Sequence, residues 1–368
     1  MRIVIFGLSV SSAWGNGHAT LLRGLFRALH DLGHEVHFFE RDTPYYAAHR
    51  DMTSLPFAQL YLYSDWEQVL PSAMALLSSA DVGMVTSYCR DGADACDLVL
   101  NSTVPRSIFY DMDTPVTLSR LQRGEHVEYI PGSGLHGFDL VLSYTGGAAL
   151  EELREKLGAK AVAPVYGWVD TSIYHRVPPV EDFACDMSYL GTYSADCQAA
   201  LQQLFITPAQ MLPSCRFVLG GAMYPNTQLW SENIRRFDHV APPEHPAFYS
   251  SSPLTLNVTR GSMAAMGYCP SGRLFEAAAC GTAVLSDWWP GLDSFLKPGE
   301  EILLGSNSAD AITAITNDSS LLQAIGGRAR ERVLDCHTAN IRARRLLELI
   351  ESPESESEPV SALFTKEA

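Results

Sequence analysis

Residues 252–301 read SPLTLNVTRGSMAAMGYCPSGRLFEAAACGTAVLSDWWPGLDSFLKPGEE. Two apolar runs, 254–258 and 282–285, have the length and composition of buried strands. Between them, 273–280 carries a helix signature, with Pro270 and Ser271 at its start and Gly281 at its end. Proline suits a first helical turn because its missing amide would be unpaired there anyway, and glycine takes the left-handed conformation that closes a helix. Strand, loop, helix and strand in this order form the crossover unit of a parallel sheet.

The start of that helix holds the chemistry. Ser271 and Gly272 leave backbone N–H groups free beside the partial positive charge of the helix end, a combination that suits phosphate. Arg273 in the same turn and Arg260 just after the first strand can grip a diphosphate with paired donors. Glu276, nearly one turn beyond Arg273, projects from a similar face and offers a carboxylate to sugar hydroxyls. The alternative is a helical ion pair between Arg273 and Glu276, with the glycines serving only as caps.

Composition bounds the remaining options. The 368 residues are 46% hydrophobic and 18% charged, enough for two core-forming domains. A net charge of −16 argues against a nucleic-acid scaffold or a binder of anionic membranes, both of which need basic patches. It leaves room for a local basic site. The eight cysteines, at 89, 96, 185, 197, 215, 269, 280 and 336, include no C-x-x-C pair, so they read as buried free thiols of a reducing compartment. The chain opens directly on a strand, MRIVIFG, and no apolar run reaches membrane-spanning length, so a cytoplasmic protein without a transmembrane segment is expected.

From the N-terminus, a strand at 2–7, a loop at 9–17, a helix at 20–32 and a strand at 35–39 form a βαβ unit whose first turn carries Gly15, Asn16 and Gly17, followed by His18. The third glycine of a dinucleotide fingerprint is missing, which counts against a nicotinamide oxidoreductase, although Glu40 and Asp42 follow the second strand. Residues 42–51 form a Tyr- and His-containing loop, 57–77 a helix, and 82–86 and 98–101 short strands. A strand at 106–110 ends in Asp111-Met112-Asp113, where an open α/β sheet binds ligands, although Asp-Thr-Pro is equally good turn chemistry. Two carboxylates alone make a poor metal site, so no metal is expected. A strand at 138–143, preceded by His136 as a further site candidate, and a helix at 148–157 complete the first half. Pro178 and Pro179 mark a linker. The rhythm then restarts with a strand at 185–190, a helix at 198–205, and a strand at 216–219 leading to Gly220, Gly221 and Tyr224. A long Arg- and Leu-rich helix is expected at 319–350, and an acidic, Ser- and Pro-containing disordered tail at 353–368.

The string at 271–292, SGRLFEAAACGTAVLSDWWPGL, resembles the nucleotide-sugar half of GT-B glycosyltransferases, in particular the spore-maturation CgeB-like family related to retaining glycosyltransferase family four. Gly167, Val169 and Asp170 match the Gly-x-Val-Asp string that ends the first half of such enzymes. The resemblance implies an α/β protein of two Rossmann-like domains with parallel sheets facing an interdomain cleft, and a C-terminal helix crossing back to the first domain. The implied division is 1–170 on the acceptor side, 171–335 for the nucleotide-sugar, 336–352 as the crossover helix and 353–368 as the tail. It also implies transfer of a sugar from a UDP- or GDP-linked donor to a glycan or small polar acceptor, with retention and without metal or cofactor, and no nucleic-acid partner. By the same resemblance Glu276 holds the donor ribose, and Arg260, Ser271, Gly272 and Arg273 hold the diphosphate. Gly220, Gly221 and Tyr224 would lie by the base and Trp288 by the sugar. The loop Gly15, Asn16, Gly17 with His18 would face acceptor or donor phosphate, and Asp113, beside Asp111, would orient the acceptor hydroxyl. Many relatives carry a second glutamate eight positions before the first; here that position is Tyr268. An epimerase or hydrolase of the same fold and a non-catalytic nucleotide-sugar-binding module are the rival readings. Acceptor identity and oligomeric state stay open.

Overall fold

A computed structural model describes residues 1–226 and 228–352. The expected tail at 353–368 lies outside the described residues. The chain divides into two compact units, one formed by 1–166 with the segment from Ala339 onward, the other by Gly167–Thr338.

The first unit holds seven strands: β1 (Arg2–Gly7), β2 (Glu35–Arg41), β3 (Gln59–Tyr63), β4 (Val82–Thr86), β5 (Arg106–Asp111), β6 (Leu140–Ser143) and β7 (Val162–Pro164). They form one sheet in the order β3-β2-β1-β4-β5-β6-β7, every pairing parallel. Between them run α1 (Gly17–Asp31), α2 (Pro44–Ala47), α3 (Trp66–Leu77), α4 (Gly92–Leu100), α5 (Thr114–Gln122) and α6 (Ala148–Leu157). Central strands such as β4 are buried along their whole length, because helices cover both faces of a parallel sheet. The core on one face includes the stacked rings of Phe6 and Phe39, 4.9 Å apart.

Three elements of this unit depart from the sequence expectation. Residues 57–77 are not one helix: β3 occupies 59–63, where Tyr and Leu alternate. Asp65 then starts α3 by accepting hydrogen bonds from the amides of Glu67 and Gln68. Residues 98–101 are not a strand but the end of α4, whose buried Ala95, Cys96 and Val99 have helical spacing. The three-residue β7 was too short to show a period.

The second unit holds β8 (Met187–Leu190), β9 (Phe217–Gly220), β10 (Ile234–Phe237), β11 (Leu254–Asn257), β12 (Ala283–Ser286) and β13 (Leu303–Leu304). Their order is β10-β9-β8-β11-β12-β13, again all parallel. A continuous helical stretch at 195–211 includes α7 (Gln198–Leu201) and α8 (Thr207–Met211); then come α9 (His245–Ser250), α10 (Gly261–Met266), α11 (Gly272–Ala279), α12 (Ser308–Ile315) and α13 (Ser319–Cys336). The 273–280 helix expected from sequence is α11, and Gly281 after it is left-handed at φ +76°. The loop before it was expected to be irregular but holds the short helix α10.

The expected helix at 319–350 is broken at His337 and Thr338, giving α13 and α14 (Ala339–Glu351). His337 is buried and stacks on Phe275, 4.6 Å between ring centres, and its carbonyl accepts the Val169 amide at 2.9 Å. The chain thus enters and leaves the second unit side by side, with Val169 paired to Thr338. The helix α14 packs on α1 and belongs to the first unit, where Arg342 Nε donates to the Tyr166 carbonyl at 3.0 Å and Arg106 Nε donates to the Ile350 carbonyl at 3.1 Å.

Gly281 also fixes how α13 lies on the sheet. A Cβ at Gly326 would stand 2.4 Å from the Gly281 carbonyl oxygen, whereas one at Gly327 would meet nothing. Alanine normally stabilises a helix interior relative to glycine. Gly327→Ala is therefore expected to stabilise the protein by about 0.5–1 kcal/mol. Gly326→Ala is expected to destabilise it by about 1–3 kcal/mol through overpacking against backbone. Urea unfolding of the two variants checks the opposite signs.

Candidate functional site

In both units the strand order reverses beside the first strand of the unit, between β1 and β4 and between β8 and β11. Open α/β sheets bind ligands beyond the carboxyl ends of strands at such points. Each unit gathers its polar side chains there.

In the second unit the gathering centres on Arg273. Its Nη1 donates to Asn257 Oδ1 at 3.2 Å, and its guanidinium carbon lies 5.1 Å from the centre of the Tyr189 ring. Among the described residues no carboxylate lies within ion-pair distance of Arg273, so the helical ion pair with Glu276 is not formed. Asn257 ends β11, and its Nδ2 donates to Ser286 Oγ at 2.9 Å at the end of β12. The adjoining Asp287 Oδ1 accepts from Thr259 N and Thr259 Oγ1, both at 3.0 Å. Burial raises the pKa of Asp287, and these hydrogen bonds oppose the rise.

Ser271 is the N-cap of α11, but its side chain makes no capping hydrogen bond, so the first-turn amides of Gly272 and Arg273 face outward uncapped. Arg260 is exposed and starts α10. It shares a neighbourhood with Arg273: burial and Asp196 raise the Cys197 thiol, and both arginines oppose them. Glu276 is half-buried, and Tyr249 donates to its Oε2 at 3.4 Å. Burial raises its pKa, and Arg273 is the largest influence lowering it.

Gly220 and Gly221 are explained by the chain itself. A Cβ at Gly221 would stand 2.0 Å from the Gly191 carbonyl oxygen, and Gly221 lies at φ +152°. Tyr224 donates its hydroxyl to that same carbonyl at 2.9 Å, and its ring meets Tyr193 and Trp230 edge-on. Trp288 is 53% exposed, whereas its neighbour Trp289 is buried. Tyr268 is left-handed at φ +46°. Its ring fills the space where Gly291 would have a Cβ, and its amide donates to the Pro290 carbonyl at 2.7 Å.

In the first unit, Asp111 ends β5 fully buried, and its Oδ1 accepts the Asp113 amide at 3.0 Å. Asp113 is the N-cap of α5, yet its carboxylate does not cap the helix; Oδ2 instead accepts the Tyr88 hydroxyl at 2.7 Å. Asp111 Oδ2 and Asp113 Oδ1 are buried and have no hydrogen-bond partner among the described residues. Tyr88 is left-handed at φ +64°, and the half-buried His18 has its ring centre 5.6 Å from it. The loop after β1 is tightly held. Glu40 accepts from Ser9 Oγ, Val10 N, Ser11 N and Ser11 Oγ, and Arg23 forms a two-pronged pair with Asp51 at 2.8 Å. Asn16 caps α1 through the His18 amide and donates to the carbonyls of Ser9 and Ser12, so its side chain is committed to the loop. Gly15 is left-handed, φ +59°, and Gly17 begins α1 at a place where an added Cβ would meet nothing. His136 is not with this group. It precedes β6, at the amino end of the sheet, and lines a depression of about 580 Å³ with His126 and Lys156.

Sequence reasoning missed Tyr88, Tyr189, Gly191, Asn257, Thr259 and Asp287. The signal available was position: all six stand within two residues of the carboxyl end of a strand. Tyr174 and Tyr249, which face Glu276, carry no such signal.

Residues 199–348 match a family model described as glycosyl transferase-like. No curated protein matches the chain. Among solved structures it is similar to sucrose-phosphate synthase from Thermosynechococcus elongatus, with 15% identity, 95% of this chain and 98% of that one covered, and a TM-score of 0.66. It is also similar to Anabaena HepE in complex with UDP-glucose, with 13% identity, 96% and 100% covered, and a TM-score of 0.67. An α-glucosyltransferase in complex with UDP-glucose and DNA containing an abasic site shares 12% identity over 96% and 100%, with a TM-score of 0.65. The fold is GT-B, two Rossmann-like domains of parallel strands, and the family match with this fold supports a glycosyltransferase. Among the described residues no helix is long and apolar enough to cross a membrane.

Burial pushes the Asp111 carboxyl up to about 7. A carboxyl raised in the folded state binds its proton more tightly there than when unfolded, so this group's stability is full below about pH 4 and lost as pH rises toward 7. Asp111→Asn, which keeps an acceptor for the Asp113 amide, is expected to raise the melting temperature at pH 8 by about 3 °C or more. At pH 4 the gain should vanish, and thermal unfolding at the two pH values checks it.

Proposed function

We propose that this protein is a retaining, metal-independent glycosyltransferase of the CgeB-like kind related to family four, using a UDP- or GDP-linked sugar. The observation that carries the reading is Arg273: a half-buried guanidinium at an uncapped helix start, resting on Tyr189 and Asn257 with no carboxylate at ion-pair distance among the described residues. A diphosphate supplies the missing charge, and Arg260 adds a second cation. Glu276 takes the ribose hydroxyls. The loop of Gly220, Gly221 and Tyr224 flanks the base, and Trp288 flanks the sugar. As the bond from sugar C1 to the diphosphate oxygen breaks, its electron pair stays on the phosphate, where the arginines and the first amides of α11 stabilise it. The acceptor oxygen takes its place at C1, and its proton passes to the departing phosphate oxygen. Asp113, with Asp111 and His18 nearby, orients the acceptor hydroxyl, and Gly15, Asn16 and Gly17 shape the loop beside it. UDP-glucose, the ligand named for Anabaena HepE, is the first donor to try here. With a net charge of −16, a glycan or small polar acceptor fits better than nucleic acid.

The donor reading is tested by thermal shift with UDP, GDP and their glucose and mannose conjugates. A ligand that binds only the folded state raises the melting temperature by mass action. One nucleotide series is expected to raise it for the wild type and not for Glu276→Ala. No shift with any of them at millimolar concentration overturns the reading.

Asp113→Asn is expected to lower turnover on an acceptor by about 100-fold while leaving the nucleotide-induced shift intact. Unchanged turnover removes Asp113 from the acceptor site. Product analysis without acceptor separates transfer from hydrolysis or epimerisation, which would release free sugar or an isomer.

A further inference from the structure

The loop after β12 brings one more acid to the group around Arg273, and no step so far uses it. Asp287 follows Ser286, the last residue of β12, which lies in register with Asn257 of β11. The Asn257 side chain bridges the arginine to this strand end. Its Oδ1 takes the hydrogen bond from Arg273 at 3.2 Å, and its Nδ2 gives one to Ser286 Oγ at 2.9 Å. Asp287, Arg260 and Arg273 all act on the Cys197 thiol, so the three share one neighbourhood.

The Asp287 carboxylate is held through one oxygen. Oδ1 accepts from Thr259 N and Thr259 Oγ1, both at 3.0 Å, and from Ser286 Oγ at 3.4 Å. Thr259 is 7% exposed and Ser286 fully buried, so the anchor is part of the packed strand ends. A carboxylate accepts through both of its oxygens. Among the described residues Oδ2 has no hydrogen-bond partner, and the side chain is only half-buried. The residue that follows, Trp288, is exposed.

A carboxylate beside two arginines that grip a diphosphate repels that ligand unless it also meets a donor. Phosphate oxygens only accept. The donors of a nucleotide-sugar are hydroxyls, and they stand on both sides of the diphosphate, on the ribose at one end and on the sugar at the other. The second unit sets two acids near Arg273 on different elements: Glu276 farther along α11, and Asp287 after β12, reached through Asn257. With Glu276 on the ribose, Asp287 is left for the sugar. A hydroxyl bound to a carboxylate makes one of the stronger hydrogen bonds, and Thr259 sets this carboxylate in place before any ligand arrives.

We propose that Asp287 is a specificity-determining residue for the donor sugar, its Oδ2 accepting a hydroxyl of the sugar ring beside Trp288. The inference rests on the donor reading above. It carries a difference in sign. Neutralising Asp287 takes a repulsion away from the bare nucleotide but takes a hydrogen bond away from the nucleotide-sugar. A carboxylate that only held the loop, or only held Arg260, would change the two ligands alike.

The test is calorimetric titration of wild type, Asp287→Asn and Asp287→Ala with UDP, UDP-glucose, GDP and GDP-mannose. Asparagine keeps an acceptor for both Thr259 donors, so the loop stays held. In the series that the wild type binds, the sugar conjugate is expected to bind Asp287→Asn about tenfold more weakly, and Asp287→Ala up to about 100-fold more weakly. The bare nucleotide should bind both variants as tightly as the wild type, or more tightly. Equal weakening of conjugate and bare nucleotide, or no weakening of the conjugate, overturns the sugar contact and leaves the nucleotide site standing. So does a wild type that binds a nucleotide but not its conjugate. A wild type that binds neither nucleotide overturns the donor reading and this inference with it. Asp287→Asn alone decides the matter if Asp287→Ala does not fold.

Discussion

The Arg273 guanidinium rests on the Tyr189 ring and gives one hydrogen bond, to Asn257. Holding a cation half out of water without a counter-ion is costly, and the surrounding fold is shaped to hold it there. A Cβ at Gly191 would come within 3.0 Å of Arg273 Nη2, so the backbone there is bare. The Gly191 carbonyl is in turn clamped by the Tyr224 hydroxyl and crowds Gly221. Asn257, which takes the guanidinium's hydrogen bond, is itself held by Ser286. Residues from four strand ends thus fix one side chain, while among the described residues no carboxylate lies at ion-pair distance from its remaining donors. Pre-organised donors of this kind are what stabilise charge that develops on a leaving group.

The two units share a topology but not a chemistry. The reversal point of the first unit collects Glu40, Asp111 and Asp113, each wholly or largely buried. That of the second collects Arg260 and Arg273 together with Glu276 and Asp287. A net charge of −16 therefore hides one basic site in an acidic protein. An anionic ligand is repelled by the first collection and drawn to the second. The asymmetry gives the second unit the surroundings that suit an anionic group. In the first unit the acids do different work: Glu40 is fully satisfied by four donors and holds the loop, whereas Asp111 and Asp113 each keep one buried oxygen unpartnered.

Much of this was legible in the sequence because the relevant signals are local. Gly281 closing α11, Ser271 opening it and the apolar runs on either side need no tertiary information. So the crossover unit, and Arg273 and Glu276 on its helix, could be read directly. Elements that failed to show were those decided by context. The half-exposed edge strand β3 lies next to a helix and shares its aromatic residues, so one long helix and a strand-helix pair read alike until Asp65 is recognised as a cap. The break at His337 has no Gly or Pro; it is made by burying the imidazole on Phe275. Arg273 and Glu276 stand at pairing distance along a helix, and only the presence of Tyr189 and Asn257, distant in sequence, turns the arginine away.

Tyr268 is held by the backbone around it. A left-handed tyrosine costs on the order of 1 kcal/mol and persists only where neighbours hold it. Here Gly267 at φ +73° precedes it, the Pro290 carbonyl takes its amide, and Gly291 at φ +88° makes room for its ring. Adding a side chain at Gly291 would place a Cβ 2.5 Å from that ring, so the segment 267–268 and the loop 288–291 fit only together. Trp288 takes its exposure from this joint, since Trp289 next to it is buried and fixes the other side of the turn. The Tyr268 phenol therefore does more than fill space. It couples the loop after β12 to the loop before α11, so that whatever Trp288 touches is positioned by the same backbone that presents Ser271 and Arg273.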